Sequence, residues 1–115
     1  MFSVLIVDDD DGIREAVAEI LLDEFDVDVY SAANGSEGQR MISERSFDVL
    51  LVDRMMPVMD GDRLLSWIIS QKLQIERVIV MSASSPRLPP MVGFLSKPFS
   101  VDELIAAVLC VLGSS

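Results

Sequence analysis

The sequence predicts an α/β fold in which a five-stranded parallel β-sheet is covered by helices on both faces. Three apolar runs are continuous rather than alternating, which is typical of strands that are covered on both faces. Helical periodicity separates these runs, so strands and helices alternate along the chain. A length of 115 residues suits one domain, and we expect residues 1–115 to form it.

The strands are predicted from short apolar runs. The three strongest runs have four apolar residues each, a fourth is more mixed and is expected at an edge of the sheet, and the fifth is very short. In chain order the predicted strands are residues 4–7, 26–30, 49–52, 78–81 and 94–95.

Four helices are predicted from apolar side chains that recur at helical spacing. Their inward-facing residues are Ile13, Ala16, Val17, Ile20 and Leu21, then Met41 and Ile42, then Leu64, Leu65, Ile68 and Ile69, and last Val101, Leu104, Ile105, Val108 and Leu112. Polar residues at three helix starts are typical of caps and capping boxes. These are Asp10 or Asp11, Asn34 with Glu37, and Ser100 with Glu103.

Composition and charge narrow the classes of function. The net charge of −10 argues against direct binding to nucleic acid, which needs a basic patch. The single cysteine, Cys110, forms no internal disulfide and is expected to be a small buried side chain, which suits a reducing, cytoplasmic location. The sequence has no apolar run of about 20 residues for a membrane span. No secretory signal is visible at its start.

Polar residues stand where the predicted strands end. Asp8 and Asp9 follow the first strand, Asp53 the third, Ser82 the fourth and Lys97 the fifth. In sheets of this kind, ligands bind at the carboxyl ends of the strands, where the strand order reverses. We therefore expect these side chains to converge on one rim of the sheet.

The residue types at this rim suit phosphoryl chemistry. Carboxylates at close range repel one another unless a cation lies among them, and Mg²⁺ binds through one or two carboxylates with waters and phosphate oxygens. Beside Mg²⁺, Asp53 becomes a usable nucleophile towards a phosphoryl group. The ammonium of Lys97 and the hydroxyl of Ser82 complete the contacts to its oxygens.

Four segments of the chain resemble the receiver domain of the two-component response-regulator family. They are VLIVDDD at 4–10, DVLLVDRMMPVMDG at 48–61, VIVMSA at 78–83 and FLSKPF at 94–99. The stretch D-x-x-M-P-x-M-D-G that begins at Asp53 is the most specific of these. The resemblance covers nearly the whole chain and implies a CheY-like, flavodoxin-like doubly wound sheet with strand order 2-1-3-4-5.

The resemblance also implies roles for individual residues. Asp53 would be the phosphoacceptor, and the acidic pair Asp8 and Asp9 would hold Mg²⁺ together with Asp53. The backbone carbonyl of Met55 would be a further ligand. Lys97 would pair with the phosphate.

Two positions correspond to the family's switch residues. Ser82 stands where the family has a switch Thr or Ser, and Phe94 where it has the aromatic residue that turns inward on activation. The phosphoryl donor would be a phosphohistidine of a sensor histidine kinase or phosphotransfer protein, in agreement with the lack of histidine in this chain. The domain would act as an acceptor and switch, not as an enzyme.

The segment between Ser82 and Lys97 departs from the family. It has fourteen residues and contains Pro86, Pro89 and Pro90, which are incompatible with an ordinary helix interior. We therefore expect the family's helix 4 to be absent or reduced to one turn. Since this helix belongs to the family's usual output face, a downstream partner is expected to bind through a different face or through residues 84–93.

Other readings stay open at this stage. Arg54 directly follows the acceptor and points either towards the site or into solvent.

The D-x-D-G pattern of Asp9 to Gly12 is similar to the motif of haloacid-dehalogenase-type phosphatases, although no cap domain or late acidic pair is found. A pseudo-receiver that binds proteins without phosphorylation is the other alternative. An EF-hand is excluded because the alternating ligands and the closing Glu are missing.

Overall fold

The computed structural model describes residues 1–56, 59–73, 77–84, 88 and 92–113. Strands and helices alternate up to the fourth strand, as predicted. The elements in chain order are β1 (Phe2–Val7), α1 (Asp11–Glu24), β2 (Val27–Ala32), α2 (Gly35–Glu44), β3 (Val49–Asp53), α3 (Gly61–Ser70), β4 (Val78–Ser82), β5 (Gly93–Ser96) and α4 (Val101–Leu112).

All five strands are parallel and lie in the order β2-β1-β3-β4-β5, which confirms the predicted sheet. Strand β1 pairs with β2 on one side and with β3 on the other, so the strand order reverses between β1 and β3. The register pairs Val7 with Val52 and Asp53 with Met81. The carboxyl ends of β1, β3 and β4 therefore lie side by side.

Two apolar clusters fill the space between the sheet and its helices. One joins alternate strand residues to Val17 and Leu21 of α1 and to Leu104 and Val108 of α4. The other joins the remaining strand residues to α3, with Met41 and Ile42 of α2 partly buried against it. Because alternate strand residues point to opposite faces, α1 and α4 cover one face of the sheet and α2 and α3 cover the other.

The predicted caps are confirmed where the structure describes them. Asp10 caps α1 by accepting hydrogen bonds from the backbone of Gly12 and Ile13. Asn34 caps α2, and Ser100 with Glu103 forms a complete capping box at the start of α4. These caps fix the points at which the chain turns from the strand ends into the helices.

Four apolar side chains that were expected inside are exposed. Cys110 is exposed because it lies two positions after Val108 on α4, on the opposite side of the helix. Ala16, Ile69 and Val101 are also exposed, which places them at the borders of their helical stripes. A continuous apolar run on a helix therefore overestimates the buried face.

The predicted loss of helix 4 concerns residues 83–92, most of which lie outside the described residues, so it stays a prediction. Among the described residues the fourth helix is α4, which has 12 residues and follows β5. Within the ranges given above, no helix is long and apolar enough to cross a membrane.

Candidate functional site

The strand ends bring the predicted site residues together at one rim of the sheet. Asp8 follows β1, Asp53 ends β3, Ser82 ends β4 and Lys97 follows β5. Carboxylate oxygens of Asp8, Asp9 and Asp53 all lie within 4.8 Å of one another. We call Asp8, Asp9, Asp53, Ser82 and Lys97 the carboxyl rim.

Lys97 bridges the two buried carboxylates of the carboxyl rim. Its Nζ lies 3.0 Å from Oδ2 of Asp8 and 3.2 Å from Oδ1 of Asp53. The backbone N–H of Lys97 donates to the carbonyl of Ser82 over 2.8 Å, which extends the pairing of β5 with β4 to this residue. Strand pairing thus aims a residue from the far end of the chain at the acidic cluster.

Asp8 is fully buried and fixed from several sides. Its Oδ1 accepts a hydrogen bond from the N–H of Asp10 over 3.0 Å, and its own N–H donates to the carbonyl of Ala32. The guanidinium of Arg14 donates to the Asp8 carbonyl over 2.6 Å. These contacts hold the Asp8 carboxylate in place before any ligand arrives.

Burial and neighbouring charges shift two titrations at the rim. Burial, and then the negative charge of Asp8, raise the pKa of Asp53, while the ammonium of Lys97 opposes the rise. Burial alone would lower the pKa of Lys97, but the hydrogen bonds and charges of Asp8 and Asp53 raise it above its ordinary value. Lys97 therefore stays charged at neutral pH, and ionised Asp53 is held at a free-energy cost.

The donor set fits a hard divalent cation. Three carboxylates face one ammonium, so the cluster of Asp8, Asp9, Asp53 and Lys97 carries an excess of negative charge. Asp9 is exposed, and neither its carboxylate nor Oδ2 of Asp53 has a hydrogen-bond partner among the described residues. All-oxygen donors with free coordination positions suit Mg²⁺ and do not suit zinc, which prefers nitrogen and sulfur ligands.

The hydroxyl of Ser82 is buried at the rim but engaged with Ser84. Its Oγ accepts a hydrogen bond from the N–H of Ser84 over 3.1 Å and lies 3.3 Å from Oγ of Ser84. In the part of the chain that the structure describes, no hydrogen bond joins Ser82 to Asp53. Ser82 is thus close to the acidic cluster with its hydroxyl committed elsewhere.

Two further predicted residues lie around the cluster. Phe94, on β5 and opposite Val80 in the register, exposes 39 % of its surface. The side chain of Met55 is exposed as well, and its N–H lies 3.5 Å from Oδ1 of Asp53. The role of the Met55 carbonyl as a metal ligand stays a prediction.

Sequence reasoning missed the close approach of Gly61 to the acceptor strand. A Cβ atom at this glycine would lie 2.4 Å from the carbonyl oxygen of Asp53, which is too close for any residue with a side chain. The N–H of Gly61 donates to the carbonyl of Arg54 over 2.8 Å. The Asp60-Gly61 pair at the start of α3 was the signal available in the sequence.

Sequence reasoning also left the direction of Arg54 undecided. Among the described residues, no ion pair or hydrogen bond joins its guanidinium to the carboxylates of the rim. The guanidinium contacts Asp62 on α3 and Ser84 after β4 instead.

The family model described as the response regulator receiver domain matches residues 4–109. The transcriptional regulatory protein GltR of Pseudomonas aeruginosa is 34 % identical, over 96 % of this chain and 48 % of GltR. The probable C4-dicarboxylate response regulator DctR of Bacillus subtilis is 28 % identical, over 93 % of this chain and 50 % of DctR. The chain thus spans about half the length of the curated relatives it matches.

Solved structures agree with this match. The receiver domain of the Francisella response regulator 1452 has a TM-score of 0.86 at 29 % identity, with 100 % of both chains covered. The chemotaxis protein CheY4 of Vibrio cholerae has a TM-score of 0.84 at 28 % identity, over 96 % of this chain and 98 % of CheY4. The chain therefore belongs to the receiver domains of response regulators, the family that serves two-component systems.

Proposed function

We propose that this chain accepts a phosphoryl group on Asp53 with Mg²⁺ held by Asp8, Asp9 and Asp53, and with the Met55 carbonyl as a further ligand. The observation that carries the proposal is the cluster of three carboxylates within 4.8 Å, two of them bridged by Lys97. The donor in this proposal is a phosphohistidine on a sensor histidine kinase or phosphotransfer protein, since the 115 residues contain no histidine that could supply one. The domain acts as an acceptor and switch in the cytoplasm rather than as an enzyme.

The rim residues divide the work of the transfer. An oxygen of Asp53 forms a bond to phosphorus while the bond from phosphorus to the donor imidazole breaks, and the electron pair returns to that imidazole. Lys97 offsets negative charge that collects on the transferring oxygens. Asp8 keeps Lys97 oriented through the 3.0 Å contact. Bound Mg²⁺ would supply further charge neutralisation at these oxygens.

Transfer changes the electrostatics of the rim and so drives the switch. A phosphoryl group adds a charge of roughly −1.5 to −2 beside Lys97. The Ser82 hydroxyl leaves Ser84 to contact the new oxygens, and Phe94, exposed in the described state, turns inward. A conformation that is uphill without phosphate becomes favoured by these contacts.

The output surface is proposed from the sequence of residues 84–93. This Pro-rich segment is short for the family, so a downstream protein binds through a face other than the usual one or through the segment itself. Inserting a full helix there should abolish binding of the downstream partner. Unchanged binding would overturn this part of the proposal.

Beryllofluoride, which mimics a phosphoryl group on a carboxylate, tests the acceptor assignment. With Mg²⁺ it should shift the amide NMR signals of the wild type at Ser82, Lys97 and Phe94. The Asp53→Asn variant, which keeps the shape of the side chain, should show no such shifts. An equal response of both proteins would show that Asp53 is not the acceptor.

A further inference from the structure

Arg54 follows the proposed acceptor in the chain and is held from two sides. Its Nε donates to Oδ2 of Asp62 over 3.2 Å, and its Nη1 donates to Oγ of Ser84 over 3.0 Å. Its backbone is fixed as well, because its N–H donates to Met81 and its carbonyl accepts from Gly61. The guanidinium therefore ties the first turn of α3 to the loop that follows β4.

Ser84 passes this restraint on to the switch residue. Its N–H donates to Oγ of Ser82 over 3.1 Å, and the two hydroxyl oxygens lie 3.3 Å apart. Asp62, Arg54, Ser84 and Ser82 thus form a continuous series of polar contacts. The series begins at a half-exposed ion pair and ends at Ser82, a residue that is 3 % exposed.

Two simpler roles for Arg54 account for less of this geometry. As a surface ion pair with Asp62 it would contribute little to stability, because both side chains are partly exposed. That role does not explain the contact between Arg54 and Ser84. As a direct ligand of the phosphoryl group, the guanidinium would have to leave both Asp62 and Ser84, to which it already donates.

We propose that Arg54 is a positioning residue that acts through Ser84 to hold the Ser82 hydroxyl in its resting orientation. The inference rests on the proposed function, in which Ser82 turns to the oxygens on Asp53. To turn, Ser82 must give up its contacts with Ser84, and Arg54 holds Ser84 in the position that makes those contacts. Arg54 therefore sets how readily the rim adopts the phosphorylated state.

The test is a titration of the Mg²⁺-saturated protein with beryllofluoride, followed by calorimetry. Arg54→Ala and Ser84→Ala should each tighten the apparent affinity by about twofold to tenfold, the range for releasing one hydrogen bond. Because both act on one series of contacts, the double variant should gain no more than the stronger single variant. The matched control is Arg63→Ala, which removes an equally charged but exposed side chain from the same end of α3 and should leave the affinity unchanged.

Two conservative variants guard against effects on folding, which urea unfolding of each protein monitors. Arg54→Lys keeps the charge but cannot donate to Asp62 and Ser84 with a rigid fork, so it should show a gain between wild type and Arg54→Ala. Asp62→Asn leaves Arg54 intact but loosens its anchor, and should show a smaller gain of the same sign. A purely structural role would lower stability without raising the affinity for beryllofluoride.

Several results would overturn the positioning role. A weaker affinity in Arg54→Ala, with Ser84→Ala unchanged, would mean that the guanidinium attracts the phosphoryl group directly. Unchanged affinity for beryllofluoride in Arg54→Ala and Ser84→Ala would show that Arg54 does not act on Ser82 through Ser84. Additive gains in the double variant would show the same. If wild type fails to bind beryllofluoride, or Asp53→Asn binds it equally well, the proposed function falls and the positioning role falls with it.

Discussion

The interior of the sheet and three residues of its carboxyl rim, Asp8, Asp53 and Ser82, are shielded from water to a similar degree but are built from opposite chemistry. Leu51 in the middle of β3 is fully buried and apolar, whereas Asp53 two residues later is 6 % exposed and carries a carboxylate. Burial of Leu51 stabilises the fold, and burial of Asp53 raises the pKa of its carboxyl group. Burial of apolar side chains in the interior thus stabilises the fold, whereas burial of the ionised Asp53 carboxylate at the rim destabilises it.

Truncating the interior should have the largest effect on stability. Leu51→Ala should lower the free energy of unfolding by about 3 kcal/mol, because it removes buried methyl groups from a packed cluster and leaves a cavity. Urea unfolding measures this loss as a lower midpoint with an unchanged slope. The folded variant should still bind beryllofluoride with Mg²⁺. A loss below about 1 kcal/mol would contradict tight packing at this position.

Removing the ammonium group of Lys97 should have the second largest effect on stability. Without Mg²⁺, Lys97→Met should lower the free energy of unfolding by about 2 kcal/mol, less than for a fully buried pair because Lys97 is 19 % exposed. Its pKa is raised, so in the wild type its contribution persists through neutral pH and is lost only as the pH rises through a value above 10.5.

Mg²⁺ provides the control for the Lys97→Met variant. Added Mg²⁺ should recover part of the lost stability, since a cation among Asp8, Asp9 and Asp53 replaces the missing charge. The measurement is urea unfolding of both proteins with and without Mg²⁺. Equal losses under the two conditions would indicate that the carboxylates do not bind the cation.

Neutralising one rim carboxylate should act in the opposite direction. Asp53→Asn should raise the free energy of unfolding of the metal-free protein at pH 7 by up to about 1 kcal/mol, because ionised Asp53 is buried beside Asp8. The folded-state pKa of Asp53 lies above 3.8, so the penalty of the wild type is complete above the raised value. It disappears as the pH falls towards 3.8.

Thermal or urea unfolding across this pH range checks the Asp53→Asn prediction. The advantage of the variant should be largest at neutral pH and shrink as the solution is acidified. Destabilisation at pH 7 would mean that the contact with Lys97 outweighs the cost of burial. The rim would then stabilise the fold instead of costing it free energy.

An exposed ion pair should show the smallest effect. Arg40 and Glu44 lie 3.6 Å apart on α2, and both side chains are 63 % exposed. Arg40→Ala should change the free energy of unfolding by less than about 0.5 kcal/mol. Urea unfolding at low and high salt measures it, and a change as large as that for Lys97→Met would contradict the distinction between buried and exposed charge.

The contacts at the rim were predictable to different degrees from the sequence. The convergence of Asp8, Asp53 and Lys97 was predicted because strand ends in a parallel sheet share one edge, however far apart they lie in the chain. The direction of Arg54 was not, since a long side chain follows partners that other segments supply, here Asp62 and Ser84.

The apolar pattern had a similar limit. The runs of β3 and β4 were predicted well because both of their faces are covered, so every residue of these two strands is buried. On α4, the apolar run extends beyond the face that meets the sheet, and Cys110 was wrongly expected inside. Periodicity predicts which helix face is buried, but the width of that face depends on the neighbouring elements.

The central claim is that Asp53 accepts a phosphoryl group, and intact-mass spectrometry tests it most directly. Wild type and Asp53→Asn are incubated with Mg²⁺ and phosphoramidate, a small donor with the phosphorus–nitrogen bond of phosphohistidine. Wild type should gain the mass of one phosphoryl group and lose it in alkali, as an acyl phosphate does, while Asp53→Asn should gain none. No adduct on wild type, or an equal adduct on both proteins, would contradict the account.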